Sequence, residues 1–174
     1  MSAPFDRKLP PLLAELHGLD VEYGDGDGID FEPYQEFQSA EDNQDWIRAW
    51  TGNQTLDGAE YRVFGQDGSG GYAAFWMVRP GRPVLEQPIV FFGSEGELGV
   101  VARDFSDYLW LLAAGLGPYE VTAWGAELDS EPQPELAAFA EQHGGPAKQP
   151  ADIIAAARAE FPDFEDKIRA LIAS

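Results

Sequence analysis

Two pairs of short apolar runs, each joined by a glycine-rich reversal, constrain this chain more than any other feature. Tyr61-Arg62-Val63-Phe64 and Tyr72-Ala73-Ala74-Phe75-Trp76-Met77-Val78 flank Gln66-Asp67-Gly68-Ser69-Gly70-Gly71. Ile89-Val90-Phe91-Phe92 and Leu98-Gly99-Val100-Val101-Ala102 flank Gly93-Ser94-Glu95-Gly96-Glu97. Aromatic and β-branched residues favour strands, and Asp-Gly and Gly-Gly supply the positive φ that a tight reversal needs. The spacing predicts an antiparallel meander of four or more strands, with Gly68, Gly70 or Gly71 in the left-handed region. The alternation is weak and the runs are continuously apolar, so the sheet is expected to be largely covered.

Helices supply the cover. Leu9, Leu12, Leu13 and Leu16 share a face within Phe5 to His17, where Pro10 and Pro11 suit a first turn and Gly18 a stop. Ser39 reads as an N-cap for a helix carrying Trp46, Ile47 and Trp50, closed by Gly52. Asp104 or Ser106 caps a helix through Leu112, which is expected to lie on the sheet, and Gly115 and Gly117-Pro118 stop it. Further helices are expected over 134–143, 151–160 and 162–172. The fold class is therefore α+β, an antiparallel sheet with helices packed on it. One domain over 1–174 is expected, with a core at about 40–118 and a helical C-terminal extension at about 131–174.

The charge is as uneven as the apolar pattern. Thirty-one acidic residues face 11 basic ones, a formal net charge of −20. Residues 1–60 hold 14 acids and 3 bases, residues 61–119 hold 6 and 4, and residues 120–174 hold 11 and 4. A chain this acidic is a poor ligand for nucleic acid, where Lys and Arg must neutralise phosphates, and for an anionic membrane surface. Its natural partners are cations or a protein with a basic face; solubility is the bland alternative. There is no cysteine, hence no disulfide and no thiolate site. No signal peptide or membrane span is read, so a cytoplasmic address is expected.

Chemistry-bearing motifs are sparse. An EF-hand register from Asp25 places Asp27 and Glu36 correctly, but puts Ile29 where a ligand belongs and Asp30 where glycine belongs. Gly93 to Gly99 spells GxxGxxG, yet strand rather than helix follows, and its acids would repel phosphate. His17 and His143 stand near helix C-termini, where the charged form suits the dipole, and in no metal spacing. The expectation is no catalysis, no metal and no cofactor. An irregular cation site and a Glu95–Glu97 carboxylate pair stay as the weaker alternatives. Partner contacts are placed on charge density at Asp25, Asp27 and Asp30, and at Glu95 and Glu97 on the second reversal. Trp50 and Trp124, which stand close to glycines, are surface candidates, whereas Trp46, Trp76 and Trp110 belong on apolar stretches.

Three segments in order, Phe64 to Tyr72, Pro88 to Glu97 and Ala102 to Leu109, give the middle of the chain a wider meaning. Together they resemble the SUKH superfamily, which includes fungal Smi/Knr cell-wall-synthesis regulators and many bacterial proteins. The resemblance covers roughly residues 60–115, a span within one domain; the N-terminal third is divergent. It implies an α+β fold and a protein-binding role, with no catalytic residue to carry over. It also implies an immunity protein that binds and neutralises a bacterial toxin, or a housekeeping regulator or scaffold of the same fold.

Overall fold

The computed structural model describes residues 7–19, 31–125 and 132–172. The two expected hairpins are present: β2 (Tyr61–Gln66) with β3 (Tyr72–Trp76), and β4 (Ile89–Phe92) with β5 (Leu98–Ala102). They join along β3 and β4, where Tyr72 lies opposite Phe92 and Phe75 opposite Ile89. A two-residue strand, β1 (Glu32–Pro33), adds to β2. The sheet is antiparallel throughout, in the order β1-β2-β3-β4-β5. Pro33 is tolerated because β1 is an edge.

Helices cover both faces, which explains the continuous apolar runs. Side chains alternate along each strand, so Ala73 and Phe75, Ile89 and Phe91 face one layer while Ala74 and Trp76, Val90 and Phe92 face the other. The first layer holds α1 (Pro11–His17), α3 (Phe105–Ala113), α4 (Pro118–Trp124) and α5 (Pro134–His143). The second holds α2 (Ala40–Thr51) and α7 (Phe164–Leu171). Helix α6 (Pro150–Glu160) belongs to both: Ile153 and Ile154 enter the first cluster and Ala157 the second. It packs across the β5 edge of the sheet. The C-terminal helices are thus part of the core rather than an appendage.

Local chemistry sets the helix ends as expected. Ser39 Oγ accepts the Asp42 N–H at 3.1 Å, and Gly52 closes α2 at φ 71°. Of the two candidate caps for α3, Asp104 serves, its carboxylate accepting the Asp107 N–H at 2.9 Å. Pro118 does not merely stop α3. It opens α4, where a missing N–H costs nothing, and Glu120 accepts the Gly117 N–H at 3.0 Å.

Two buried polar groups hold elements together. Asn43 is fully buried; its amide donates to the carbonyls of Tyr61 (2.8 Å) and Gly58 (3.4 Å) and accepts from Gln38. Asp107 is fully buried between Arg103 (3.2 Å) and Lys148 (2.6 Å), tying α3 to the segment before α6.

His17 departs from expectation. It ends α1, but its ring is buried against Phe64 and Phe31. Its Nδ1 lies 2.6 Å from the Tyr34 carbonyl, which can only accept, so Nδ1 carries the proton. Among the described residues, the Nε2 atom is then a bare acceptor with no partner. Burial holds the pKa below its ordinary value, partly offset by the Tyr34 carbonyl. Desolvation outweighs the helix dipole, and the neutral form is favoured. Because the folded pKa lies below the unfolded one, the stabilisation is complete above about pH 6.5 and is lost as the pH falls below it. Urea unfolding at pH 7.5 and 5.5 should show lower stability at 5.5, by at most about 1.4 kcal/mol per pH unit from this group. His17→Asn should flatten that slope; an unchanged slope in the variant would exclude His17 as its source.

Candidate functional site

Both hairpins turn at the same end of the sheet, because β3 and β4 are neighbours. In the β2–β3 reversal, Asp67 Oδ1 accepts from the Ser69 N–H (3.0 Å), the Ser69 hydroxyl (2.9 Å) and the Gly71 N–H (2.7 Å). This is the local turn chemistry that aspartate favours. Gly70 takes φ 95°; Gly68 and Gly71 do not take positive φ. Gly71 is needed for a different reason: a Cβ there would stand 2.6 Å from Phe91 Cζ.

In the β4–β5 reversal, Gly93 N–H donates to the Glu97 carbonyl (2.7 Å) and Gly96 takes φ 91°. The Glu97 carboxylate folds back to accept the Glu95 N–H at 3.0 Å, while Glu95 is exposed. The hydroxyls of Ser94 and Ser69 meet at 3.0 Å and link the two tips.

Neighbouring elements extend this end. Glu32, on β1 and exposed, accepts from the Gln66 amide at 3.3 Å, and the Tyr34 hydroxyl donates to Gln66 Oε1 at 2.6 Å. Tyr34 is held well above the ordinary phenol range, first by burial, then by Tyr72 and the charges of Glu32 and Asp42. Glu95, Glu97 and Glu32 thus stand at one end of the sheet. The nearby Arg169, which reaches toward the Gly96 carbonyl at 3.5 Å, is also engaged by Glu165 at 3.1 Å. Asp25, Asp27 and Asp30 lie outside the described residues.

The two surface tryptophans part company. Trp50 is half-buried; its Nε1–H donates to the Gly93 carbonyl at 2.8 Å and its ring meets Phe92 edge-on at 5.1 Å. It braces the second hairpin from beneath. Trp124, at the end of α4, is 59% exposed. It borders a depression with Ala151, Ile154 and Ala155 of α6. Of the three tryptophans expected inside, Trp46 and Trp76 are buried; Trp110 is half-buried, with its indole N–H donating to the Gly144 carbonyl at 3.0 Å.

Among the described residues, no three His, Asp or Glu side chains are grouped to hold a metal ion. No helix among them is long and apolar enough to cross a membrane. Sequence reasoning missed Arg158, an exposed arginine on α6 beside the β5 edge. Nothing in the spacing of α6 marks it, because its setting comes from α4, β5 and α7. No family model matches the chain, and no curated protein or solved structure was found to be similar to it.

Proposed function

We propose that this chain is a non-enzymatic protein-binding domain of the SUKH type, an immunity protein that takes the basic face of a bacterial toxin on the acidic hairpin end. The observation that carries the reading is the gathering of Glu32, Glu95 and Glu97 at that end, beside an arginine already engaged by Glu165. Net charge of −20 adds a long-range field of the same sign. The second hairpin tip, tied to the first through Ser94 and Ser69, presents Glu95 and Glu97 at little entropic cost, which favours recognition of a preformed surface. The order of strand, glycine turn, strand pair and capped helix supports the SUKH likeness. A toxin that acts on nucleic acid needs a cationic substrate face, and an acidic protein can occupy it.

The test is kinetic. A bacterial nuclease toxin domain with a basic substrate face is mixed with it by stopped flow at two salt concentrations. Clustered charge of one sign raises association by steering, and salt screens it over about 8–10 Å. Association should slow by roughly tenfold or more from low to high salt, while dissociation changes little. Replacing Glu32, Glu95 and Glu97 together with glutamine should reproduce much of that slowing without lowering stability. The triple change of Asp25, Asp27 and Asp30 to asparagine measures the share of the preceding acidic segment. An association rate indifferent to salt and to both triple changes would assign the charge to solubility and end the proposal.

A further inference from the structure

A second surface, away from the acidic tips, has the chemistry to bind an extended chain. In the β4–β5 ladder, Gly93 N–H bonds the Glu97 carbonyl, and Phe91 lies opposite Gly99. Backbone groups alternate along an antiparallel strand, so Glu97 and Gly99 point theirs at β4 while Leu98 and Val100 point theirs the other way. Among the described residues, no strand lies beyond β5 in the sheet. Among the described residues, nothing donates to or accepts from these outward groups of Leu98 and Val100. An open edge of this kind is a template for a further strand, and native folds usually blunt it.

Here the blunting is incomplete. Helices α4 and α6 flank β5, yet a groove of about 490 Å³ is left along Leu98, Gly99 and Val100, walled by Thr122, Arg158 and Phe161. It continues past Thr122 and Arg158 into the depression under the exposed Trp124. Arg158 stands where the two meet. Six of the other basic side chains (Arg7, Arg79, Arg82, Arg103, Lys148 and Arg169) are engaged by carboxylates. Arg158 is exposed and makes no ion pair or hydrogen bond among the described residues. Glu165, which also borders the groove, is turned to Arg169.

We propose that the β5 edge is a docking groove for an extended segment of a partner protein that carries an acidic side chain. The segment adds to the sheet through the free groups of Leu98 and Val100, its carboxylate meets the Arg158 guanidinium, and an apolar side chain next to it enters the depression beside Trp124. Main-chain bonds supply affinity in this mode, and the side-chain pockets supply selectivity. Among the described residues, Arg158 is the groove-lining charge without an ion pair, and its sign selects an acidic rather than a basic occupant. This site does not depend on the acidic-end reading, and its failure would leave that reading standing.

The probe is a short fluorescein-labelled peptide of alternating threonine and valine with a central aspartate. Its binding to the full chain is followed by anisotropy and by amide NMR shifts. Shifts are expected at Leu98, Val100, Thr122 and Arg158 and not at Glu95. Arg158→Glu should weaken binding by about tenfold, the scale of a lost charge-assisted bond, with the melting temperature held. Lysine in place of the aspartate should weaken it similarly. Methylating alternate peptide nitrogens should abolish it in one of the two registers. Several results would overturn the proposal: no binding at millimolar peptide, binding indifferent to Arg158→Glu and to methylation, or preference for the lysine peptide. So would a concentration-dependent dimer with the Leu98 and Val100 amides protected, which would make the occupant a second copy of this chain.

Discussion

Phe92→Ala is expected to lower the unfolding free energy by about 3–5 kcal/mol. Phe92 is fully buried at the centre of the second layer. Its ring meets Trp46 at 4.9 Å, Trp50 at 5.1 Å, Tyr61 at 5.3 Å and Phe164 at 6.0 Å, each nearly perpendicular. Those rings come from α2, β2 and α7, so removing one side chain unseats the contact among three other elements. The void cannot close cheaply. Trp50 is pinned by its bond to the Gly93 carbonyl, and Tyr61 is fixed in the ladder opposite Trp76. A cavity that fails to collapse adds its own term to the lost transfer energy. Urea unfolding followed by tryptophan fluorescence measures the change. A loss below about 1 kcal/mol would show that the layer repacks freely, contrary to the packing described.

Gly65→Ala is expected to cost about 3 kcal/mol, at the upper end of what overpacking does. The backbone of Gly65 needs no left-handed conformation; space is what it lacks. A methyl there would fall 2.1 Å from Phe31 Cζ and 2.9 Å from the Glu32 carbonyl oxygen. Phe31 is itself buried, 5.8 Å from Phe64 and 6.4 Å from His17 by ring centroids, so it has nowhere to retreat. The cheapest response is to lift β1 from the sheet. That gives the substitution a second signature: with Phe31 displaced, His17 loses cover and should titrate closer to its ordinary value. Thermal unfolding and imidazole NMR read the two effects. Wild-type stability together with an unmoved His17 titration would contradict the close approach.

The sheet was readable because its signals are local. Each hairpin carries its own strand formers and its own turn residues, and Asp67 even makes its bonds within the reversal. Helix caps were readable for the same reason, Ser39 and Gly52 each acting within one turn. Misses fell where the decision is made at a distance. A two-residue β1 has no period to detect, and Glu32 and Pro33 pair only because β2 offers an edge. Pro118 reads from the sequence as a stop, but it opens α4, whose Val121 packs against the first layer. Trp50 stands two residues before Gly52 and so reads as a surface residue, but a carbonyl 43 positions away fixes it. For the candidate site, Glu95 and Glu97 could be placed on a turn from sequence. The joining of the two tips through Ser69 and Ser94, and the isolation of Arg158, could not, since both follow from which strands and helices become neighbours.

The crossing of α6 over the β5 edge bears on how the chain matures during its synthesis. Sheet order follows chain order, so each strand finds its partner already made, and both hairpins close with short loops. A ribosome that has delivered residues through about 149 has therefore released a complete sheet with a raw margin, because Ile153, Ile154, Ala157, Phe164 and Ile168 are still to come. Until they arrive, Val90, Phe92 and Val100 lack part of their cover, and the β5 margin is flanked by α4 without α6. Such an intermediate presents a flat apolar strand to any neighbouring nascent chain. Helices α6 and α7 leave the tunnel after the sheet and fasten both layers, so the interval between sheet completion and their arrival leaves the sheet exposed to misassembly.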